Sequence, residues 1–207
     1  GFEAYWRIPG DAPTAQTGKW VKAPGMKFFK TVKKYLGDLP IIAEDLGVIT
    51  PPVEKLRDTF NFPGIKIMQF AFGTGMESKF LPHNYIKNCV FHTGSHDNDT
   101  TRGYFDSVKG ADNDIYKFAQ DYLNCYKHEA MVAAAIKAAY ASVANTVVIP
   151  MQDVLNLGTE SRMNFPGRLG GGNWAWRARS DAFTSDLAAY FNYMTIIFER
   201  PKPETGK

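Results

Sequence analysis

Only two cysteines occur in 207 residues, and they form no short Cys-X-X-Cys pair, which removes disulfide-stapled scaffolds and zinc ribbons at the outset. Cys89 opens an apolar strand-like run, where a buried reduced thiol is the ordinary expectation. A reducing, cytoplasmic compartment follows, or a plastid if the source is a plant or alga. Long apolar runs are missing too. No stretch approaches the roughly 20 residues that a membrane helix needs, and the Ala-rich segment 131–144 is interrupted by Lys137. Charge of one sign is scarce: 24 basic against 21 acidic residues leave a formal net charge of +3, too small an excess to neutralise a phosphate backbone. Neither membrane nor nucleic acid is an expected partner. Gly-X-Gly-X-X-Gly and Walker-type loops are also absent, so no nucleotide cofactor is expected.

What is present suits a globular chain. With 44% hydrophobic and 14% aromatic residues, it has enough apolar material for a sizeable core and no linker-like tract or internal repeat. It reads as one structural unit. Its opening, Gly-Phe-Glu-Ala-Tyr-Trp, has neither a Met nor the basic and apolar regions of a secretory signal, and reads as the interior of a longer sequence.

Strand-like and helix-like segments alternate. Lys27, Lys30, Lys33 and Lys34 interleave with Phe28, Phe29, Val32, Tyr35 and Leu36 at helical spacing, which predicts an amphipathic helix with its lysines facing water. A strand over 39–43 follows. Thr50 is placed to cap a helix that starts with Pro51 and runs to about Phe60. Residues 65–72, nearly continuous in apolar character, predict a strand covered on both faces, and 89–92 and 146–149 are further strands. Between the last two, a stripe of Met131, Ala135, Ile136, Ala139, Tyr140 and Val143 marks helix. The alternation argues for parallel βαβ units in an α/β fold.

Polar clusters follow three of these strands: Glu44-Asp45, then residues 93–101 (TGSHDNDTT), then Gln152-Asp153. In parallel α/β enzymes the carboxyl ends of strands open into the substrate crevice, so these carboxylates are candidates for chemistry, Glu44 and Asp97 first among them. The plainer reading makes Asp45 and Asp97 caps or turn formers. An EF-hand reading of Asp97, Asp99 and Thr101 fails, because Arg102 stands where that loop needs Gly and Val108 where it needs Glu. Asn98-Asp99-Thr100 matches a glycosylation acceptor by chance. His83, His92 and His96 include no pair with zincin spacing, so no metal is expected. Trp174 and Trp176 offer indole donors and broad apolar faces to a sugar, with core packing the expected use.

Residues 41–51 (IIAEDLGVITP), 63–72 (PGIKIMQFAF), 81–85 (LPHNY), 93–104 (TGSHDNDTTRGY), 149–164 (IPMQDVLNLGTESRMN) and 172–177 (GNWAWR) together resemble the 4-α-glucanotransferases, or amylomaltases, of glycoside hydrolase family 77. The blocks cover most of the chain in the family's order. That resemblance implies a (β/α)8 TIM barrel, of which residues 1–207 form the C-terminal half: strands five to eight with their helices. It implies transfer of α-1,4-glucan segments between maltooligosaccharides by a retaining double displacement, without a cofactor.

By the same resemblance, Glu44 matches the general acid/base and Asp97 the third carboxylate, which binds sugar hydroxyls. His96 matches a sugar-binding histidine and Asn164 a substrate-contacting asparagine. Gly73-Thr74-Gly75 falls where some relatives carry acidic residues near the acceptor side. The family's nucleophilic Asp belongs to an Arg-Ile-Asp-His-Phe-Arg-Gly-Phe-like motif of which Gly1-Phe2 matches only the end. The missing N-terminal half is therefore an expected partner, and the isolated chain is expected to be inactive. The alternatives are a catalytically dead glucan-binding fragment and a hydrolase or branching enzyme of the wider α-amylase-like clan.

Overall fold

The computed structural model describes residues 1–73, 78–111 and 113–200. In chain order it contains strands β1 (Ala4–Arg7) and β2 (Lys19–Lys22), helices α1 (Gly25–Leu36) and α2 (Pro51–Thr59), and strands β3 (Gly64–Ile67) and β4 (Cys89–His92). Helices α3 (Thr101–Ala111), α4 (Asn113–Leu123) and α5 (Met131–Ala141) follow, then strand β5 (Thr146–Val148), the one-turn helix α6 (Met151–Val154) and helix α7 (Ser185–Ile197). Where the sequence reads as one unit, the chain divides into two compact ones, residues 1–65 and 66–207.

The first unit opens with a hairpin that no sequence signal marked. β1 pairs antiparallel with β2, and Trp6 opposes Trp20 in an edge-on contact with ring centroids 5.4 Å apart. Helix α1 forms as its spacing predicts, with the lysines exposed and Phe29 buried against Phe60 and Phe62. α2 also forms as predicted with Pro51 at its start, but Thr50 makes no side-chain capping bond. The strand expected over 39–43 reduces to one bridge, Ala43 to Gly64. The Ala43 N–H donates to Pro63 O, and neither Pro40 nor Pro63 has an N–H with which to continue a ladder.

Just beyond that bridge, the buried Asp45 ties the unit together. Its Oδ1 accepts the Ile65 N–H at 2.7 Å and its Oδ2 accepts Arg57 Nη1–H at 2.5 Å. The carboxylate lies so close to Gly64 that a Cβ there would sit 2.5 Å from Oδ2, so a larger residue would push Asp45 off its partners. Burial alone pulls the Arg57 guanidinium down, but hydrogen bonds to Asp58 and Asp45 outweigh it and hold it above its ordinary value.

The larger sheet has the order β3-β4-β5; β4 and β5, in the second unit, are parallel, with Phe91 opposite Val147. Helices α3, α4 and α5 intervene between these two strands, as a βαβ crossover requires. The core gathers Met68, Leu81, Phe91, Phe105, Met131 and Ala135, and Cys89 is a buried free thiol. Of the predicted α5 stripe, Met131, Ala135, Ile136 and Ala139 are buried, whereas Val143 lies beyond the helix end and is exposed.

The strand predicted over 65–72 stops at Ile67, and the chain turns through a 3-10 helix at Met68–Phe70. Met68, Ala71 and Phe72 then enter the core together at helical spacing. A continuous apolar run carries no period of its own, so only packing decides between strand and turn.

Asp45→Ala leaves the shielded Arg57 guanidinium without its closest anion and the Ile65 N–H without its acceptor. The expected cost is about 3–5 kcal/mol, read as a lower denaturation midpoint together with lost hydrogen-exchange protection at the Ile65 amide.

Candidate active site

The polar segment after β4 is fixed at both ends by one carboxylate. Asp153 on α6 is 2% exposed; its Oδ2 accepts the Thr93 hydroxyl at 2.5 Å and the Thr101 hydroxyl at 2.6 Å, and its Oδ1 accepts the Thr101 N–H at 2.7 Å. Thr93 directly follows β4 and Thr101 begins α3, so residues 94–100 form a loop with pinned ends. Thr100 caps α3, its hydroxyl accepting the Gly103 N–H at 3.0 Å. Within the loop, Asn98 Oδ1 accepts the Ser95 N–H and hydroxyl. Asp99 Oδ2 accepts the Thr159 hydroxyl at 2.8 Å, and Asp99 O accepts the buried Gln69 amide at 2.8 Å. A Cβ at Gly103 would collide with Thr159 Oγ1 and with the Asp99 carboxylate, so a larger residue there would have to displace the Asp99–Thr159 pair.

This scaffold leaves His96 and Asp97 facing outward. Both side chains are about half exposed, 54% and 52%, and His96 Nε2 lies 3.3 Å from Asp97 Oδ1. Asn164 Nδ2 donates to the same oxygen at 2.6 Å. Asp97 Oδ2 has no donor among the described residues. Three residues singled out in the sequence, His96, Asp97 and Asn164, thus meet at one carboxylate although Asn164 is distant in the chain. Glu44, the other catalytic candidate, is exposed in the first unit beside the buried Asp45.

Beside the cluster lies a cavity of about 190 Å³ lined by His96, Asn98, Asp99, Arg162, Met163 and Trp174, among others. Trp174 was expected in the core; instead it is 55% exposed, with its ring 5.0 Å from that of His96. Its backbone has φ of +62°, a strained value for a bulky residue, and strain of this kind concentrates at functional sites. Arg162 was not singled out at all. The only sequence signal was its position two residues before Asn164.

The remaining histidines do not converge here. His83 Nδ1 pairs with the Tyr122 hydroxyl at 3.1 Å, while His92 is partly buried at the end of β4, where desolvation lowers its pKa and favours the neutral ring. No group of three or more His, Cys, Asp or Glu that could hold a metal ion occurs among the described residues. Thr74 and Gly75, which stand where some relatives carry acidic residues near the acceptor side, lie outside the described residues.

Fold and site together define a mixed α/β protein with a neutral amide and an imidazole aiming one exposed carboxylate beside a polar and aromatic cleft. The model of the 4-alpha-glucanotransferase family, glycoside hydrolase family 77, matches residues 1–183, and the chain belongs to that family. It is 47% identical over 204 residues to a 4-alpha-glucanotransferase of Thermus thermophilus and 46% identical over 200 residues to one of Clostridium butyricum, in each case over 97% of its own length. It spans only 41% and 40% of those relatives. Among solved structures, the amylomaltase from Streptococcus agalactiae in complex with acarbose matches with a TM-score of 0.91 at 39% identity, over 97% of this chain and 40% of that one.

The buried Asp153 has a pH signature. Desolvation raises its pKa from the ordinary carboxylate value, outweighing the hydrogen bonds from Thr101 and Thr93 that lower it; the Asp99 charge raises it further. A folded-state pKa above the unfolded one means that the native state holds the extra proton, so this group's contribution to stability falls as pH rises through the interval between them. Comparing wild type with Asp153→Asn by urea denaturation from pH 3.5 upward, wild type is expected to lose stability relative to the variant until the raised pKa is passed, after which the difference is constant.

Proposed function

We propose that this chain is the C-terminal half of the catalytic (β/α)8 barrel of a 4-α-glucanotransferase, one that moves α-1,4-glucan segments between maltooligosaccharides. Family membership and the 40% coverage of full-length relatives support the division into halves. The observation that carries the site is Asp97: one oxygen is held by Asn164 and faces His96, while the other is open to solvent-side hydroxyls. A carboxylate held this way can accept hydrogen bonds from adjacent sugar hydroxyls, and these strengthen as positive charge develops in an oxocarbenium-like transition state.

In this reading Glu44 is the general acid/base, Asp97 the substrate-binding third carboxylate, and His96 and Asn164 substrate-binding residues. The nucleophilic carboxylate comes from the N-terminal half. It attacks the anomeric carbon as the glycosidic C–O bond breaks, and Glu44 delivers its proton to the departing oxygen. The second step reverses the roles: Glu44, now a carboxylate, takes the proton from an acceptor 4-hydroxyl whose oxygen displaces the enzyme's carboxylate. Two inversions retain the anomeric configuration, with the two carboxyl groups about 5–5.5 Å apart. No cofactor enters either step. No helix among the described residues is long and apolar enough to cross a membrane, and the free thiols suit the cytoplasm, or a plastid in a plant or alga.

The test uses the full-length enzyme with maltotriose. Glucose plus longer maltooligosaccharides is the expected product pattern; only shorter sugars would mean hydrolysis, and binding without turnover would mean a glucan-binding protein. Glu44→Gln is expected to lower transfer by about 100- to 10,000-fold and Asp97→Asn by about 100- to 1000-fold. An unchanged rate in either variant would remove that residue from the mechanism.

A further inference from the structure

Asn164 reaches Asp97 from a loop that is closed on itself. At its neck the Trp174 N–H donates to Met163 O at 2.8 Å. Inside, Asn173 Oδ1 accepts the Phe165 N–H at 2.9 Å, and Asn173 Nδ2 donates to Arg168 O at 3.1 Å. These bonds fix the loop's own shape, but none of them sets where the loop stands against the His96–Asp97 segment. Asn164 and Trp174 reach that segment through side-chain contacts with Asp97 and His96, and one further side chain ties its backbone to the loop's. Arg162 Nη2 donates to Asp97 O at 2.6 Å and Arg162 Nε donates to Asn164 O at 2.8 Å, while its guanidinium lies 4.6 Å from the Phe165 ring centroid.

We infer that Arg162 is a positioning residue that sets the register of Asn164 against Asp97 by clamping the two backbones with a single planar group. The guanidinium presents its donors at a fixed separation, and the acceptors are main-chain carbonyls that neither titrate nor swing away. The ring of Phe165 limits tilting of the guanidinium plane. With both backbones held, the freedom left to the Asn164 amide is its own side-chain rotation, and its 2.6 Å bond to Asp97 Oδ1 takes that up. The open oxygen of Asp97 is then aimed by a group that need not touch it. A lysine at 162 has a point charge on a flexible stem and cannot span both carbonyls in the plane of the fork.

The rate consequence rests on the transferase reading above; the geometric one does not. In the full-length enzyme, Arg162→Lys and Arg162→Met are each expected to lower kcat/KM for maltotriose by about 10- to 100-fold. In an Asn164→Ala background the same changes are expected to cost less than about threefold, because the register they disturb no longer has a side chain to deliver. Equal losses in both backgrounds would overturn the inference and make Arg162 a substrate contact or a general stabiliser. A second readout is independent of activity: the Asn164 side-chain amide signals, displaced by the carboxylate in wild type, are expected to move to solvent-exposed positions in either Arg162 variant. Unmoved signals would refute the clamp. An enzyme inactive on maltotriose would refute the functional reading, and the amide spectra would still decide this one.

Discussion

A buried carboxylate with three donors governs the second unit. Asp153 accepts from Thr93 and twice from Thr101, joining the end of β4, the start of α3 and the turn after β5 at one point. Each charge-assisted bond of this type contributes about 1.5–3 kcal/mol, and an unpaired anion in the same place would cost more than any one of them provides. The loop at 94–100 therefore has fixed ends, and the exposed side chains it carries, His96 and Asp97, inherit their positions from a residue they never touch.

The first unit repeats the same division between carboxylates. In Glu44-Asp45 the second residue is buried, holding Arg57 and the Ile65 N–H, and the first is left outside. In the segment 96–99, Asp99 is spent on Thr159, the Thr100 N–H and, through its carbonyl, Gln69, while Asp97 keeps an oxygen free. For Asp45 burial forces this outcome, because a carboxylate shielded from water must be fully partnered and is then unavailable for chemistry; Asp99, only partly buried, is occupied by its hydrogen bonds. Exposed partners of such residues are where a site can form. Asp45 is structural, as the plain reading has it, but as the anion for Arg57 and the Ile65 N–H rather than as a cap; Asp97 does lie in a turn, as that reading expects, and its carboxylate also accepts from Asn164.

Local pattern was a good guide wherever one period dominated. The lysine face of α1, the Pro51 start of α2 and the buried positions of α5 all follow from spacing that only a helix satisfies. It failed at 39–43 and 65–72, where the prolines or the lack of any period left the backbone's partners undetermined. It also failed for the β1–β2 hairpin, whose eleven-residue connection has no tight-turn signature, and for Trp174, which is exposed and adopts a positive φ that an aromatic residue seldom takes.

By itself, the sequence determined the class and the candidates: an α/β chain whose motif blocks resemble one family, with Glu44, His96, Asp97 and Asn164 as the residues to watch. Those are properties of residue type and order, which are legible along a line. Only the tertiary structure decided which carboxylates are architectural, that Asn164 and His96 share one oxygen of Asp97, and that Arg162 holds the two backbones in register. The bonds from Arg162 and Asn164 to Asp97 join donors and acceptors more than 60 residues apart. A one-dimensional pattern carries no record of that pairing, because hydrogen-bond satisfaction is decided by proximity in space.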